Sequence, residues 1–472
     1  MKAYALPALI AFLFVPSAVL AGDLPSITDY QLDIRFALKE QRVDMTAKLT
    51  ITNTTSQPQS KLPFLLYRLF TVERVTGSAG SAIGFTQDVV LMKDEPSWQV
   101  TQLVVNLPSP LKPGDTTRIT VAYGGYLFGY PEVMAYVKDH IDEQYSLIRP
   151  DALAYPMLAD PSFANLFAAY RSKFTYQVSA TVPPGYRAAC GGELLDSHTY
   201  QDRSTFVFRS KIPTWRIDVA VAQFALEGSA DDNLEIYYLP EDSTGARRIL
   251  KASRDAVEFY TTMFGKPMGY KGYTIIEIPD GWGSQASDYY FLQTAAAFKD
   301  STKLREVYHE IGHTWNAMQS PEVERCRYFD EAFASFFQAL AVRQFEGEDA
   351  FKAEMERTRS SFVQRAGRNP QALETPIAGY GAKELGGFSY TKGAWSLYVL
   401  YELVGEETFA SIIREMLATY WDKPIDFGKF QKLCEEVSGR DLRKYFQEWI
   451  YGTQSSKLLV DQVPIDDIVK RY

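Results

Sequence analysis

The apolar residues of this chain change period part-way along it. From Tyr30 they recur at every second position: Tyr30, Leu32, Ile34 and Phe36, then Val43, Met45, Ala47, Leu49 and Ile51. Similar alternation returns at Leu103, Val105 and Leu107, at Ile119 and Val121, and at Phe174, Tyr176 and Val178. Alternation of this kind marks half-buried strands. Turn signals separate the runs, among them Lys112-Pro113-Gly114-Asp115 and Pro183-Pro184-Gly185. The pattern predicts an antiparallel β domain over residues 22–225, its last strand lying within Ile217 to Phe224. A strand near Leu234 to Leu239 follows. Helical spacing then sets in from Thr244 to Phe264, closed by Gly265 and Pro267.

After a further strand, Tyr273 to Ile278, and a loop from Pro279 to Ser284, the chain reads as mainly helical. The expected class is therefore α+β and multidomain, with an α-rich domain over 226–455 and a short tail, 456–472. A chain of 472 residues is too long for one ordinary core, which agrees. No Pro- or Ser-rich linker separates the halves, so they are expected to pack rigidly together.

The first residues speak to compartment. Lys2 precedes an apolar run from Leu6 to Val15, and Val19 and Ala21 suit a signal peptidase. This predicts a cleavable secretory signal over 1–21, with export to the periplasm or the exterior. The run is shorter than the roughly 20 residues a bilayer needs, and no later segment is long and apolar enough to span one. A net charge of −9 argues against nucleic acid as a partner. Three cysteines, Cys190, Cys326 and Cys434, make neither a disulfide framework nor a thiolate metal site, and read as packed thiols.

The chemistry is concentrated in Val307-Tyr308-His309-Glu310-Ile311-Gly312-His313. Asp300 or Ser301 can cap a helix here, with Leu304, Val307, Tyr308, Ile311 and Trp315 as its buried stripe. Histidines four apart on a helix project from one face, close enough to share one ion. Neutral imidazole nitrogens suit zinc, and a catalytic zinc takes three protein ligands. Glu310, one position on, faces the edge of such a site, where it can take a proton from the attacking water. Only four histidines occur in the chain, and two of them fall in this motif. The third ligand is expected on a second helix, Arg327 to Phe337, from a carboxylate in its first turn: Glu331, or Asp330 in its place.

His309-Glu310-x-x-His313 followed by Glu331-Ala332-Phe333-Ala334-Ser335 resembles the M1 aminopeptidase family, and Trp315 also matches its pattern. The resemblance implies Glu331 as the third ligand of one Zn2+ ion. Seventeen residues separate His313 from Glu331, one fewer than the family's eighteen, a difference that a connecting loop absorbs. Ser389-Tyr390-Thr391-Lys392-Gly393 is similar to the family segment whose tyrosine hydrogen-bonds the oxyanion, which implies that role for Tyr390. It also implies a saddle-like N-terminal β domain, a thermolysin-like catalytic domain and, without the family's long C-terminal helical domain, a more open cleft. His313 to Asn316 shares wording with the glycyl aminopeptidases, whose PDZ module and N-terminal pattern are not present here.

Substrate anchoring departs from the family. Where its members carry Gly-x-Met-Glu-Asn, this chain reads Gly281-Trp282-Gly283-Ser284-Gln285-Ala286. Gln285 falls near the position of the glutamate that grips a peptide's α-amine, and an amide cannot neutralise an ammonium. Gln285, Gly283 and Glu277 are the expected substrate-binding residues, with Asp288 as another carboxylate in reach. Three readings follow: a zinc peptidase releasing N-terminal residues from peptides, a zinc peptidase acting internally or on blocked peptides, and a zinc-containing peptide-binding protein without catalysis.

Overall fold

The computed structural model describes residues 24–170, 172–229 and 233–472; the expected signal segment lies outside them. The strands read from alternation are present as Ser26–Ala37, Arg42–Thr52, Gln99–Leu111, Thr116–Tyr126 and Thr175–Val182. In Arg42–Thr52 each of Val43, Met45, Ala47, Leu49 and Ile51 is buried, and the residues between them are not. Seven strands form the largest sheet, in the order Glu193–Tyr200, Arg203–Arg209, Thr175–Val182, Ser26–Ala37, Arg42–Thr52, Thr116–Tyr126, Phe70–Gly77. Four- and three-stranded sheets complete this half around one apolar core. One pairing corrects the antiparallel expectation: Ser26–Ala37 runs parallel to Thr175–Val182. These strands are joined by a long stretch of chain rather than a hairpin, and a long connection permits parallel pairing.

Ala225–Ser229 turns away to join a five-stranded mixed sheet, in the order Ala225–Ser229, Leu234–Tyr238, Tyr273–Ile278, Tyr290–Thr294, Gln285–Ser287. Tyr273–Ile278 is buried along its whole length, as an inner parallel strand must be. Three strands here were not expected from the sequence, Ala225–Ser229 among them. Gln285–Ser287 and Tyr290–Thr294 form a short hairpin where a loop and then helix were expected, too short for a period to register. Gln285–Ser287 is the edge of the sheet.

Helices cover this sheet. Ser243–Phe264, Leu304–Gly312, Phe333–Glu346 and Ala394–Val404 share one core with the helices that follow them. Residues expected as a tail also enter it: Leu458, Leu459 and Ile468 are buried there, and Trp449 Nε1 donates to Tyr472 Oη at 3.0 Å. A smaller apolar cluster joins the two halves, with Tyr145, Leu147 and Phe224 against Ile276, Ile278 and Trp282. Among the described residues no helix is long and apolar enough to cross a membrane. All three cysteines are free and buried.

Candidate metal centre

The helix carrying His309 runs from Leu304 to Gly312, preceded by a 3-10 turn that Asp300 caps by accepting from the Thr302 N–H at 2.9 Å. Val307, Tyr308, Ile311 and Trp315 are buried, so the expected stripe packs inward, with Leu304 only partly covered. One detail differs from the expected continuous helix. The α-helix ends at Gly312, and His313–Trp315 form a 3-10 turn. The two imidazoles still lie side by side, one edge-on to the other, ring centroids 4.8 Å apart and planes at 89°.

The segment bearing Glu331 is not the regular helix expected from Arg327. Arg327 is left-handed (φ 56°, ψ 26°), Tyr328–Ala332 form a π turn, and the α-helix begins at Phe333. A second π turn, Ser389–Gly393, carries Tyr390 and precedes the helix Ala394–Val404. A Cβ on Gly393 would sit 2.7 Å from Ala332 Cβ, so only glycine allows the two turns to approach this closely. Wide turns of this kind cluster at functional sites because they re-aim a side chain within a helix.

These turns bring a donor set together. One ligand atom from each of His309, His313 and Glu331 lies within 4.8 Å of the others. Glu331 Oε2 is 3.1 Å from His309 Nε2 and 3.5 Å from His313 Nε2. Two imidazoles and a carboxylate are the protein ligands of a catalytic zinc site, and the residues fit that ion. Asp330, the other carboxylate considered, is behind the ligands: its Oδ1 is 3.0 Å from His313 Nδ1. An acceptor there favours a proton on Nδ1 and leaves Nε2 free to ligate. Burial works against a charged His313, but the Glu331 and Asp330 carboxylates outweigh it and favour the imidazolium. Burial likewise opposes ionisation of Glu331, yet His313, His309 and Arg327 hold its carboxyl well below the usual range.

Glu310 is partly buried beside the ligands, and burial raises its carboxyl above the ordinary value despite the pull of His309 and His313. Tyr390 stacks on His309, ring centroids 5.8 Å apart and planes at 11°. Burial, and then the hydrogen-bonded Glu331 carboxylate, hold its phenol protonated. Cys326, between the ligands in sequence, packs its thiol against Ala378 O at 3.5 Å instead. Burial raises its pKa, as for an inert thiol.

The expected anchoring residues fare differently. Gln285, on the edge strand, is clamped: Arg216 Nη2 donates to its Oε1 at 2.7 Å and Arg149 Nη1 at 3.2 Å. Its Nε2 donates to Asp151 Oδ1 at 3.2 Å. Arg149, Asp151 and Arg216 come from the β half and were not singled out in the sequence, where no motif marks them. Asp218 and Asp139 complete the buried network, accepting from Arg216 Nε at 2.7 Å and Arg149 Nε at 2.8 Å. Gly283 lies beside Tyr136. Glu277 is not brought to this face. It is fully buried, its Oε2 accepting from the Leu239 N–H at 2.7 Å, because an inner strand points alternate residues into the sheet's cover. Asp288 pairs with Lys173 at 3.5 Å.

Residues 286–449 match the model of the Peptidase family M1 domain. A glutamyl aminopeptidase of Bitis rhinoceros is 22% identical over 299 residues, covering 59% of this chain and 31% of that protein. Tricorn protease-interacting factor F2 of Thermoplasma acidophilum is 19% identical over 314 residues, 63% of this chain and 39% of its own. The chain thus spans about a third of the length of these curated relatives. An M1 zinc metallopeptidase from Deinococcus radiodurans shares the fold, with a TM-score of 0.64 over 92% of this chain and 94% of that one, at 18% identity. A mutant of it bound to a Tyr-Ser-Ala substrate superposes with a TM-score of 0.63 over the same shares, at 16% identity.

Proposed function

We propose that this chain, whose residues 286–449 match the model of the Peptidase family M1 domain, hydrolyses peptide bonds at a single zinc ion, releasing residues from the N-termini of peptides. The observation that carries this reading is the convergence of His309, His313 and Glu331 within 4.8 Å, with Glu310 and Tyr390 at its rim. Zinc, when bound, supplies a Lewis acid for the scissile carbonyl and for the attacking water. Glu310 takes a proton from that water and returns it to the leaving amine. Its raised affinity for protons, a consequence of burial, suits a group that must both accept and give one. Tyr390 donates its phenolic hydrogen bond to the oxygen on which negative charge develops. The edge strand Gln285–Ser287 has an unpaired side along which an extended peptide can align.

Action at a free N-terminus calls for a carboxylate near that strand. Asp151 supplies one, its side chain 14% exposed, with Oδ1 accepting from Gln285 Nε2 at 3.2 Å and Oδ2 from Arg216 Nη2 at 2.9 Å. A second reading, cleavage of internal bonds or of blocked peptides, draws on Gln285 itself: it falls near the position of the family's glutamate, and two guanidinium groups occupy its oxygen. An aminoacyl chromogenic amide and its N-acetylated counterpart separate the two. Turnover of the free amine alone supports release of N-terminal residues, and comparable turnover of the blocked form replaces that reading with the second. Silence on both, with one zinc bound, leaves a peptide-binding protein. Export belongs to the same proposal, resting on Lys2, the apolar run Leu6 to Val15 and Ala21. N-terminal sequencing of the purified protein tests it, with Gly22 as the expected first residue.

A further inference from the structure

We propose that Arg327 is a positioning residue of the metal centre, holding one oxygen of Glu331 so that only the other is offered to the ion. The inference rests on the reading of His309, His313 and Glu331 as zinc ligands and goes beyond it.

Arg327 immediately precedes the π turn Tyr328–Ala332, and its backbone is left-handed, at φ 56°. A long side chain in that region costs free energy and persists where the surroundings require it. The requirement is visible in what the side chain does. It folds back over its own turn, Nε donating to Asp330 Oδ2 at 2.6 Å and Nη2 donating to Glu331 Oε1. Each carboxylate is thereby divided. Asp330 gives Oδ2 to Arg327 and Oδ1 to His313 Nδ1, 3.0 Å away. Glu331 gives Oε1 to Arg327 and turns Oε2 towards His309 Nε2 and His313 Nε2.

The facing loop is shaped to admit this side chain. A Cβ on Gly386 would sit 2.9 Å from Arg327 Cγ and 2.5 Å from the Arg325 carbonyl oxygen. Charge points the same way. Glu310, Asp330 and Glu331 crowd three carboxylates around two imidazoles, and Arg327 is the cation the structure sets against them. Arginine suits the task because its rigid fork presents two donors at a fixed angle to two carboxylates, whereas a lysine ammonium is a single point charge. A carboxylate held at Oε1 is oriented before the ion arrives, and groups that orient ligands in this way set metal affinity.

The test uses the full chain stripped of metal, with Arg327→Gln and Arg327→Lys, and reads zinc affinity by titration against a competing chelator. Arg327→Gln should weaken zinc binding on the order of 10–100-fold, and Arg327→Lys should recover only part of the loss. With Co2+ in place of zinc, the visible spectrum of Arg327→Gln should differ from that of the parent protein, since Oε1 is then released. The kcat for an aminoacyl amide should fall while KM holds. Parental zinc affinity and an unchanged cobalt spectrum in Arg327→Gln overturn the proposal, even if its melting temperature drops. Should that variant fail to fold, parental affinity and spectrum in Arg327→Lys overturn it equally. A parent protein that binds no zinc overturns the metal reading itself, a result distinct from either.

Discussion

Tyr390 lies parallel to His309, ring centroids 5.8 Å apart and planes at 11°, so the phenol is stacked on one of the three converging side chains and not merely near it. Tyr390→Phe keeps the ring and its stacking and removes only the hydroxyl. The expected result is a fall in kcat of about 10²–10³-fold, the usual weight of one oxyanion donor, with little change in KM. One zinc per chain should remain. Parental turnover in this variant would remove Tyr390 from the reaction.

Glu310→Gln addresses the proton carrier. The amide keeps the shape and leaves the three ligand atoms untouched, but cannot accept the proton. Turnover should drop by at least about 10²-fold, the typical contribution of a general base, with zinc content measured by atomic absorption unchanged. Loss of zinc together with activity would instead assign Glu310 to the metal.

Gly393→Ala probes the contact between the two π turns. The added methyl meets Ala332 Cβ, which the backbone brings within 2.7 Å of the position a Cβ would take. Overpacking of this kind costs about 1–3 kcal/mol, read as a shift in denaturation midpoint. Because the turns carry Glu331 and Tyr390, kcat should fall as well. A variant with parental stability and turnover would show that the turns can separate freely.

Much of this site could be read from the sequence because its parts are local. Histidines four apart need only a helical turn to converge, and the segment around Glu331 carries its own wording. The alternation of Val43 to Ile51 likewise exposes a strand with one buried face. What escaped is what depends on distant pairing or on departures from regular geometry. The π turns leave no periodic trace, since one extra residue in a turn looks like ordinary helix. The hairpin at Gln285–Ser287 and Tyr290–Thr294 is too short to show a period. The clamp on Gln285 joins residues 134 to 136 positions and 69 positions away, from the other half of the chain. Glu277 looked available because burial of an inner strand is decided by sheet order, which alternation does not encode.

Glu277 nevertheless has a measurable consequence. Its Oε1 and the Asp242 Oδ2 are both buried without a hydrogen-bond partner, the latter 3.8 Å from Lys299 Nζ, and a proton shared between the two carboxylates eases that burial. Burial first, and then the Asp242 carboxylate, push the Glu277 carboxyl up to about 9 from its ordinary 4.5, against the Leu239 N–H that favours ionisation. The sign follows from proton counts. Between those two values the unfolded chain releases this proton and the folded chain keeps it. The folded state therefore binds more protons, and its stability falls as pH rises through the window. Glu277→Gln removes that dependence: the amide oxygen can still accept from Leu239, and the amide nitrogen can donate to Asp242 without needing a proton. The variant should match the parent near pH 5 and exceed it increasingly towards pH 8.5, by at most about 1.4 kcal/mol per pH unit. Urea denaturation at four or five pH values reads the difference, and two curves that run parallel would mean that Glu277 is ionised in the folded protein.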